Sequence, residues 1–296
     1  MNPDSTRDLA GKVYVVTGAN SGIGRAAATN FASRGAQLVM VCRSTELGIK
    51  ALDAIRRESN NPDLKLFIAD FRSLESVNKM AQELIESCPK IDVLCNNAGG
   101  ANAGRRVTSE GFETTFAVNH LAGFLLTQRL LPALLEAADS GLARVVFTSS
   151  LGHTNSPLDF ADLNLEKGYS TLKAYGRSKL MNLLLARELQ RRFGDRNLVA
   201  SSFHPGAVRT PIWRKGGFLA ALLGLVMYPF MRSIDKGAQT LIWLAASSDA
   251  VAVHAAGNYF IDCKQRRPAE FATDEAAEQL WRISEELVRP FTSPTV

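Results

Sequence analysis

Val15-Val16-Thr17-Gly18-Ala19-Asn20-Ser21-Gly22-Ile23-Gly24 joins a short β-branched run to an alanine-rich one, and how this join is read decides the fold. Residues 12–16 have the pattern of a buried strand, and residues 23–33 that of a helix. Gly18 permits a tight exit from the strand, Gly22 lets the backbone approach a ligand, and Gly24 lets the helix pack closely on the sheet. The helix N-terminus then offers unpaired N–H groups and a positive dipole end, which suit a pyrophosphate. Glycine turns also join strands to helices where no nucleotide binds, so the surrounding chain has to supply the context.

A chain of 296 residues is long enough for one large α/β domain or two small ones. Its 46% apolar and 21% charged residues exclude disordered and fibrous classes and provide for a substantial core. The net charge of +5 is spread over separated pairs, Arg56-Arg57, Arg105-Arg106, Arg191-Arg192 and Arg266-Arg267. That distribution reads as solvated surface and not as a nucleic-acid footprint. Cys42, Cys88, Cys95 and Cys263 form no Cys-x-x-Cys motif, and the first nine residues contain no apolar signal region. Reduced thiols in a cytoplasmic protein are the expectation.

Taken in order, the chain predicts strands at 37–42, 64–69, 91–95, 144–148, 198–203 and 257–261. Helices are predicted at 46–58, 74–87, 174–193, 236–247 and 274–288. Residues 111–120 and 123–138 read as two helices, or as one long helix interrupted at Gly123. A long loop spans 151–170, and residues 290–296 read as a frayed tail. Strands alternating with helices imply a single-domain, doubly wound parallel sheet of Rossmann type with helices on both faces, and no linker or repeat divides residues 1–296.

Chemistry concentrates in Tyr175-Gly176-Arg177-Ser178-Lys179. A four-residue step on a helix puts Tyr175 and Lys179 on one face, where an ammonium favours the phenolate. Lowering a phenol from about 10 to roughly 7 takes about 4 kcal/mol of differential stabilisation. Tyr169 and Lys173 repeat the same spacing six residues earlier, so one of the two pairs is a decoy. The histidines His120, His153, His204 and His254 share no metal-ligand spacing with any Cys, Asp or Glu pair, so no metal is expected. His153 closely follows Ser150 and is the one placed to touch a substrate.

The spacing Thr17-Gly18-x-x-x-Gly22-Ile23-Gly24 is similar to the cofactor loop of the short-chain dehydrogenase/reductase family. Further segments of that pattern follow in order: Asn96-Asn97-Ala98-Gly99, Asn119, Ser149-Ser150, Tyr175 with Lys179, and Pro205-Gly206 with Thr210. The resemblance covers residues 10–210. It selects Tyr175 over Tyr169, because a serine directly precedes Lys179 and Leu180-Met181-Asn182-Leu183 follows it. Cys42-Arg43, Gly237-Ala238-Gln239-Thr240, Asp262-Cys263-Lys264 and the separation of Ser150 from Tyr175 resemble the family's retinol-dehydrogenase-like branch.

This resemblance implies hydride transfer between a nicotinamide cofactor and a carbonyl or alcohol carbon. Ser150 would hold the substrate oxygen, Tyr175 would act as acid or base, Lys179 would hold ribose hydroxyls, and Asn119 would place a water leading to solvent. Cofactor contacts are implied at Gly18, Asn20, Ser21, Gly22, Ile23, Gly24, Asp70, Phe71, Asn97, Ala98, Gly99, Tyr175, Lys179, Pro205, Gly206, Val208 and Thr210. Arg43 stands where an NAD-selective site wants a carboxylate, so NADP(H) is expected, with Arg25 assisting.

The apolar segment 218–231 is too short for the roughly 20 residues that span a bilayer. It is read as part of a substrate lid, 206–236, closing over a lipophilic small molecule. Peripheral membrane contact and homo-oligomer formation remain open alternatives for the same surface. A reductase of small polar carbonyls and a non-catalytic nucleotide-binding relative are the competing functions.

Overall fold

The computed structural model describes residues 7–208 and 231–292. Its centre is one eight-stranded sheet: β1 (Val13–Thr17), β2 (Gln37–Cys42), β3 (Leu64–Ile68), β4 (Val93–Asn96), β5 (Ala143–Thr148), β6 (Leu198–His204), β7 (Tyr259–Ile261) and β8 (Lys264–Arg266). Across the sheet the order is β3-β2-β1-β4-β5-β6-β7-β8, with every pair parallel except the last. Apolar runs such as Val13–Thr17 and Ala143–Thr148 are what a parallel sheet covered on both faces requires.

The helices are α1 (Gly22–Ser33), α2 (Thr45–Ser59), α3 (Leu74–Ser87), α4 (Thr114–Phe116), α5 (Ala122–Asp139), α6 (Thr171–Phe193), α7 (Ile234–Ala246), α8 (Ala250–Val253) and α9 (Asp274–Val288). Alternate strand residues point to opposite faces, which divides the core in two. Val15, Val39, Leu94 and Val145 pack with α3, α5, α6 and α9, whereas Val16, Met40, Cys95 and Val146 pack with α1, α2 and α7. The doubly wound, single-sheet architecture is thus the expected one.

Some details depart from the sequence reading. β8, whose residues Lys264, Gln265 and Arg266 are all exposed, has no apolar pattern to announce it. It pairs with β7 through Asp262 and Cys263, whose φ values of 54° and 58° suit a tight hairpin turn. The long helix is not broken at Gly123; α4 runs through a π turn at Ala117–Leu121 directly into α5. α6 starts three residues earlier than read, because Ser170 caps it by accepting the Lys173 N–H at 3.2 Å. Residues 289–291, at the start of the tail read as frayed, form a 3-10 turn, and 293–296 lie outside the described residues.

Buried polar groups fasten the elements that carry the site. Arg144, from the middle of the sheet, donates to the carbonyls of Leu244 and Ser247 at 2.9 and 2.7 Å. Tyr14 donates to Ala245 O and Arg34 to Ala246 O, so the carbonyl end of α7 is capped, two of its donors being cations. Helix α9 lies across α5 and α6, with the Trp281 ring 5.1 Å from Phe124 and the Arg192 guanidinium 4.6 Å above it. The stretch Thr114–Asp139 is long and apolar enough to cross a membrane, yet it is a core helix lying between the sheet and α9.

Candidate active site

Sheet order reverses between β1 and β4, and the chains leaving their C-terminal ends diverge there to open a crevice. Thr17 closes its base. Its hydroxyl donates to Cys95 O and accepts the N–H groups of Asn97 and Ala98 at 3.0 and 2.9 Å, while Asn97 Nδ2 donates to Thr17 O at 2.9 Å. Gly24 admits no side chain: a Cβ there would lie 2.4 Å from Asn97 Nδ2 and 2.5 Å from Gly18 O. The glycine turn and the Asn97-Ala98-Gly99 turn are therefore one packed unit.

Ser21 precedes α1 in extended conformation and makes no side-chain capping bond, which leaves its hydroxyl and the first N–H groups of α1 for an anion. Cys42 ends β2 against the same loop, and burial pushes its thiol up to about 11. Arg43 follows on the surface. Its charge helps to hold Asp70 below the ordinary carboxylate range, after the larger effect of the Arg72 hydrogen bonds. Phe71 is buried next to it. A cradle without room for side chains, a free helix N-terminus and an uncapped serine together fit a dinucleotide.

Two sequence expectations change here. Arg25 is paired with Glu58 at 2.6 Å, so its guanidinium is already engaged. The Asp70 carboxylate is held by Arg72 Nε and Nη2, while its backbone N–H donates to Ser76 Oγ and its carbonyl accepts the Ser73 N–H. Farther along, Gly206 packs on the Arg232 side chain, and Val208 forms a parallel bridge with Arg232. Ile23 and Val208 both lie against Gly237. Thr210 and most of the lid call, including 218–230, lie outside the described residues.

The reactive side chains meet at the C-terminal end of β5. Lys179 Nζ donates to Thr148 O at 3.1 Å and sits 5.5 Å from the centroid of the Tyr175 ring. Asn182, one turn on, donates to the same carbonyl at 3.1 Å, and Ser149 Oγ donates to Lys179 O at 2.7 Å. The Ser150 hydroxyl accepts the Gly152 N–H and lies near enough to the Tyr175 phenol to favour its ionised form. Burial leads over every other influence at both Tyr175 and Lys179. It raises the phenol despite Ser150 and lowers the ammonium to about 8. In the protein alone the phenol therefore stands above its ordinary value, because desolvation outweighs the Ser150 hydroxyl; the lowering expected from the sequence joins Lys179 to the positive ring of an oxidised nicotinamide.

Asn119 lies in the π turn. Its Oδ1 accepts Gly100 N–H, and its Nδ2 donates to Gly100 O and Ser178 Oγ, all at 2.9 Å. Ser178 in turn donates to Tyr175 O at 2.8 Å. Asn119 and Lys179 both face Gly99, where an added Cβ would stand 2.9 Å from Asn119 Oδ1 and 3.4 Å from Lys179 Nζ. Sequence reading met Thr17, Ser178 and Asn182 only as motif members and gave them no role; their hydroxyl and amide contacts appear only when the strand ends converge.

Tyr169 is elsewhere. Its hydroxyl donates to Gly104 O at 3.1 Å, and Thr171 Oγ1 to Asn102 O at 3.2 Å, so Tyr169 and Thr171 together hold the 102–104 loop. His153 corrects another expectation: it is wholly buried, with both ring nitrogens hydrogen-bonded, and does not line the crevice.

The short chain dehydrogenase family model matches residues 12–217. Retinol dehydrogenase 12 of Mus musculus is 39% identical over 281 residues, spanning 95% of this chain and 87% of that protein. Retinol dehydrogenase 14 of Homo sapiens is 39% identical over 297 residues, with 95% and 87% covered. Among solved structures, an uncharacterised protein from Mycobacterium Paratuberculosis superposes with a TM-score of 0.76 at 29% identity, covering 98% of this chain and 97% of that one. A short chain dehydrogenase from Escherichia coli CFT073, complexed with NADPH, has a TM-score of 0.67 at 24% identity over 88% of this chain and 99% of its own. The chain belongs to the short-chain dehydrogenase/reductase family of oxidoreductases, in its retinol-dehydrogenase-like branch.

Proposed function

We propose that this oxidoreductase is NADP(H)-dependent and interconverts a lipophilic alcohol with its aldehyde or ketone. The observation that carries the reading is the convergence of Ser150, Tyr175 and Lys179 beside the glycine cradle. When bound, a nicotinamide cofactor supplies or takes the hydride, and its oxidised ring adds positive charge near the phenol. Gly18, Asn20, Ser21, Gly22, Ile23 and Gly24 hold the pyrophosphate side, and Asn97, Ala98, Gly99, Pro205, Gly206 and Val208 flank the rest. Ser150 holds the substrate oxygen, and Tyr175 donates its proton to that oxygen on reduction or accepts one on oxidation. Lys179, held by Thr148 O, holds the ribose hydroxyls, and Asn119 fixes the Gly99–Gly100 backbone beside it.

The cofactor choice rests on Arg43, an exposed guanidinium after β2 with no ion pair among the described residues. A guanidinium binds phosphate in bidentate fashion, whereas NAD-selective sites place a carboxylate here. The substrate class is supported by two leucines next to the reactive groups: Leu151, directly after Ser150, is 50% exposed, and Leu172, one turn before Tyr175, is 82% exposed. The names of the relatives point the same way.

One assay tests all of this. Purified protein is mixed with NADPH or NADH and a series of aliphatic aldehydes, and absorbance is followed. Each added methylene contributes about 0.8 kcal/mol, so three more carbons should raise kcat/KM about tenfold or more until the pocket is filled. NADPH should outperform NADH, and Arg43→Ala should narrow the gap. Tyr175→Phe should cost roughly 10²–10⁴-fold in rate while sparing cofactor affinity, and Tyr169→Phe should not. Indifference to chain length defeats the lipophilic reading, an unchanged cofactor ratio defeats the Arg43 assignment, and a Tyr175→Phe rate close to that of the unmodified protein defeats the mechanism.

A further inference from the structure

The 3-10 turn Leu151–Asn155 begins at Ser150, and His153 within it is fully buried. Its Nδ1 lies 2.6 Å from Ser150 O, a carbonyl that also accepts the His153 backbone N–H at 3.1 Å. Its Nε2 lies 3.2 Å from the backbone N of Ala269, between β8 and α9. These partners fix the tautomer. A carbonyl can only accept and an amide N–H can only donate, so Nδ1 carries the proton and Nε2 is the acceptor. The ring is also packed edge-on to Tyr259 at 4.9 Å and 75°. Burial pushes its pKa below the ordinary histidine value, which keeps it neutral and preserves both bonds.

We propose that His153 is a positioning residue for the reaction: the neutral Nδ1–H tautomer grips the Ser150 carbonyl and thereby sets the Ser150 hydroxyl opposite Tyr175. It ties that hydroxyl to the segment preceding α9, more than a hundred residues away in the chain. A small displacement of a group that orients a substrate can cost far more rate than stability. The proposal rests on the reading of Ser150 as the residue that holds the substrate oxygen.

The test compares His153→Ala, His153→Asn and His153→Gln with Ser150→Ala, measuring kcat and KM for one aldehyde, NADPH affinity by fluorescence, and melting temperature. An asparagine amide reaches the Nδ1 position and can donate to Ser150 O, whereas a glutamine amide reaches the Nε2 position and serves only Ala269. The expected result is that Ala and Gln lose about tenfold or more in kcat with KM and NADPH affinity little changed, while Asn recovers most of the loss. All three should lose melting temperature to a similar degree. If kcat follows melting temperature across the three, or Gln outperforms Asn, His153 is only a packing residue and the proposal falls. If Ser150→Ala keeps full kcat, the reading of Ser150 falls and takes the proposal with it. Imidazole ¹⁵N spectra of the unmodified protein, with the His153 signals assigned by their loss in His153→Asn, check the tautomer. An Nδ1–H signal for the buried ring supports the proposal, and an Nε2–H signal overturns it.

Discussion

Gly176 shows how closely the reactive groups depend on one another. A Cβ at this position would meet Ser156 Oγ at 2.1 Å and Gly152 O at 2.5 Å, so the turn carrying Ser150 rests directly on the helix carrying Tyr175. Ser156 could rotate away, but the Gly152 carbonyl is backbone and can move only with the whole turn. Gly176→Ala is therefore expected to lower kcat about tenfold to a hundredfold while leaving NADPH affinity nearly intact. Adding Ser156→Ala should not rescue it, and a double variant with full activity would show that the turn adapts. In the sequence Gly176 is only the residue between Tyr175 and Arg177, since its neighbours are separated from it by twenty or more positions. The same holds for the twin Tyr-Lys pairs. Their spacing is identical, and only the fold shows that Tyr169 is bonded to the 102–104 loop while Tyr175 faces Ser150.

At the scale of elements, the π turn and helix α9 stand out. Gly123 reads as a helix breaker, yet it lies within α5, where an added Cβ would sit 3.6 Å from Asn96 Oδ1, so it marks a close approach to β4. The extra residue of the π turn is accommodated earlier, at Ala117–Leu121, and swings Asn119 onto Gly100 and Ser178. His120, in the same turn, reaches Ser284 of α9 at 2.9 Å. Helix α9 is thus joined to the element bearing Asn119 as well as packed on it. Trp281, 3% exposed and set between Phe124 and Arg192, anchors the joint. Trp281→Ala should cost about 3–5 kcal/mol in urea unfolding, because the neighbouring helices cannot collapse into the space left. A loss below about 1 kcal/mol would mean that α9 is held elsewhere.

At the scale of the whole molecule, the buried His120 and His153 and the half-buried His204 make stability depend on pH. Burial is the leading cause at each of them, holding His120 at about 3, His204 at about 4 and His153 below its ordinary value. Groups depressed in the folded state bind protons first in the unfolded chain. Their contribution is intact above the unfolded value of about 6.5 and is lost as pH falls from there toward the folded values. For His120 and His204 the loss should be on the order of 2 kcal/mol each by pH 5. The depressed carboxylates of Asp8, Asp70 and Asp262 start from an ordinary value of 3.8, so they act at lower pH and do not mask the effect. Urea unfolding at pH 7 and pH 5 measures it, and equal stabilities would show that these rings are reached by water or protons in the folded state.

The sequence by itself determined the doubly wound class, seven strands in chain order, and helices at 74–87 and 274–288 to the residue, because each depends on local periodicity, capping and glycine chemistry. It also named Ser150, Tyr175 and Lys179, whose types and order carry the family pattern. It did not show β8, since an exposed Lys-Gln-Arg strand is defined only by the hairpin partner it pairs with. Nor did it show that Arg25 is engaged by Glu58, that Asn119 is anchored on Gly100, or that His153 grips Ser150 while bonded to Ala269. Those contacts join distant parts of the chain, and only the tertiary structure decided them, because hydrogen bonding and desolvation depend on what is close in space and not on what is close in sequence.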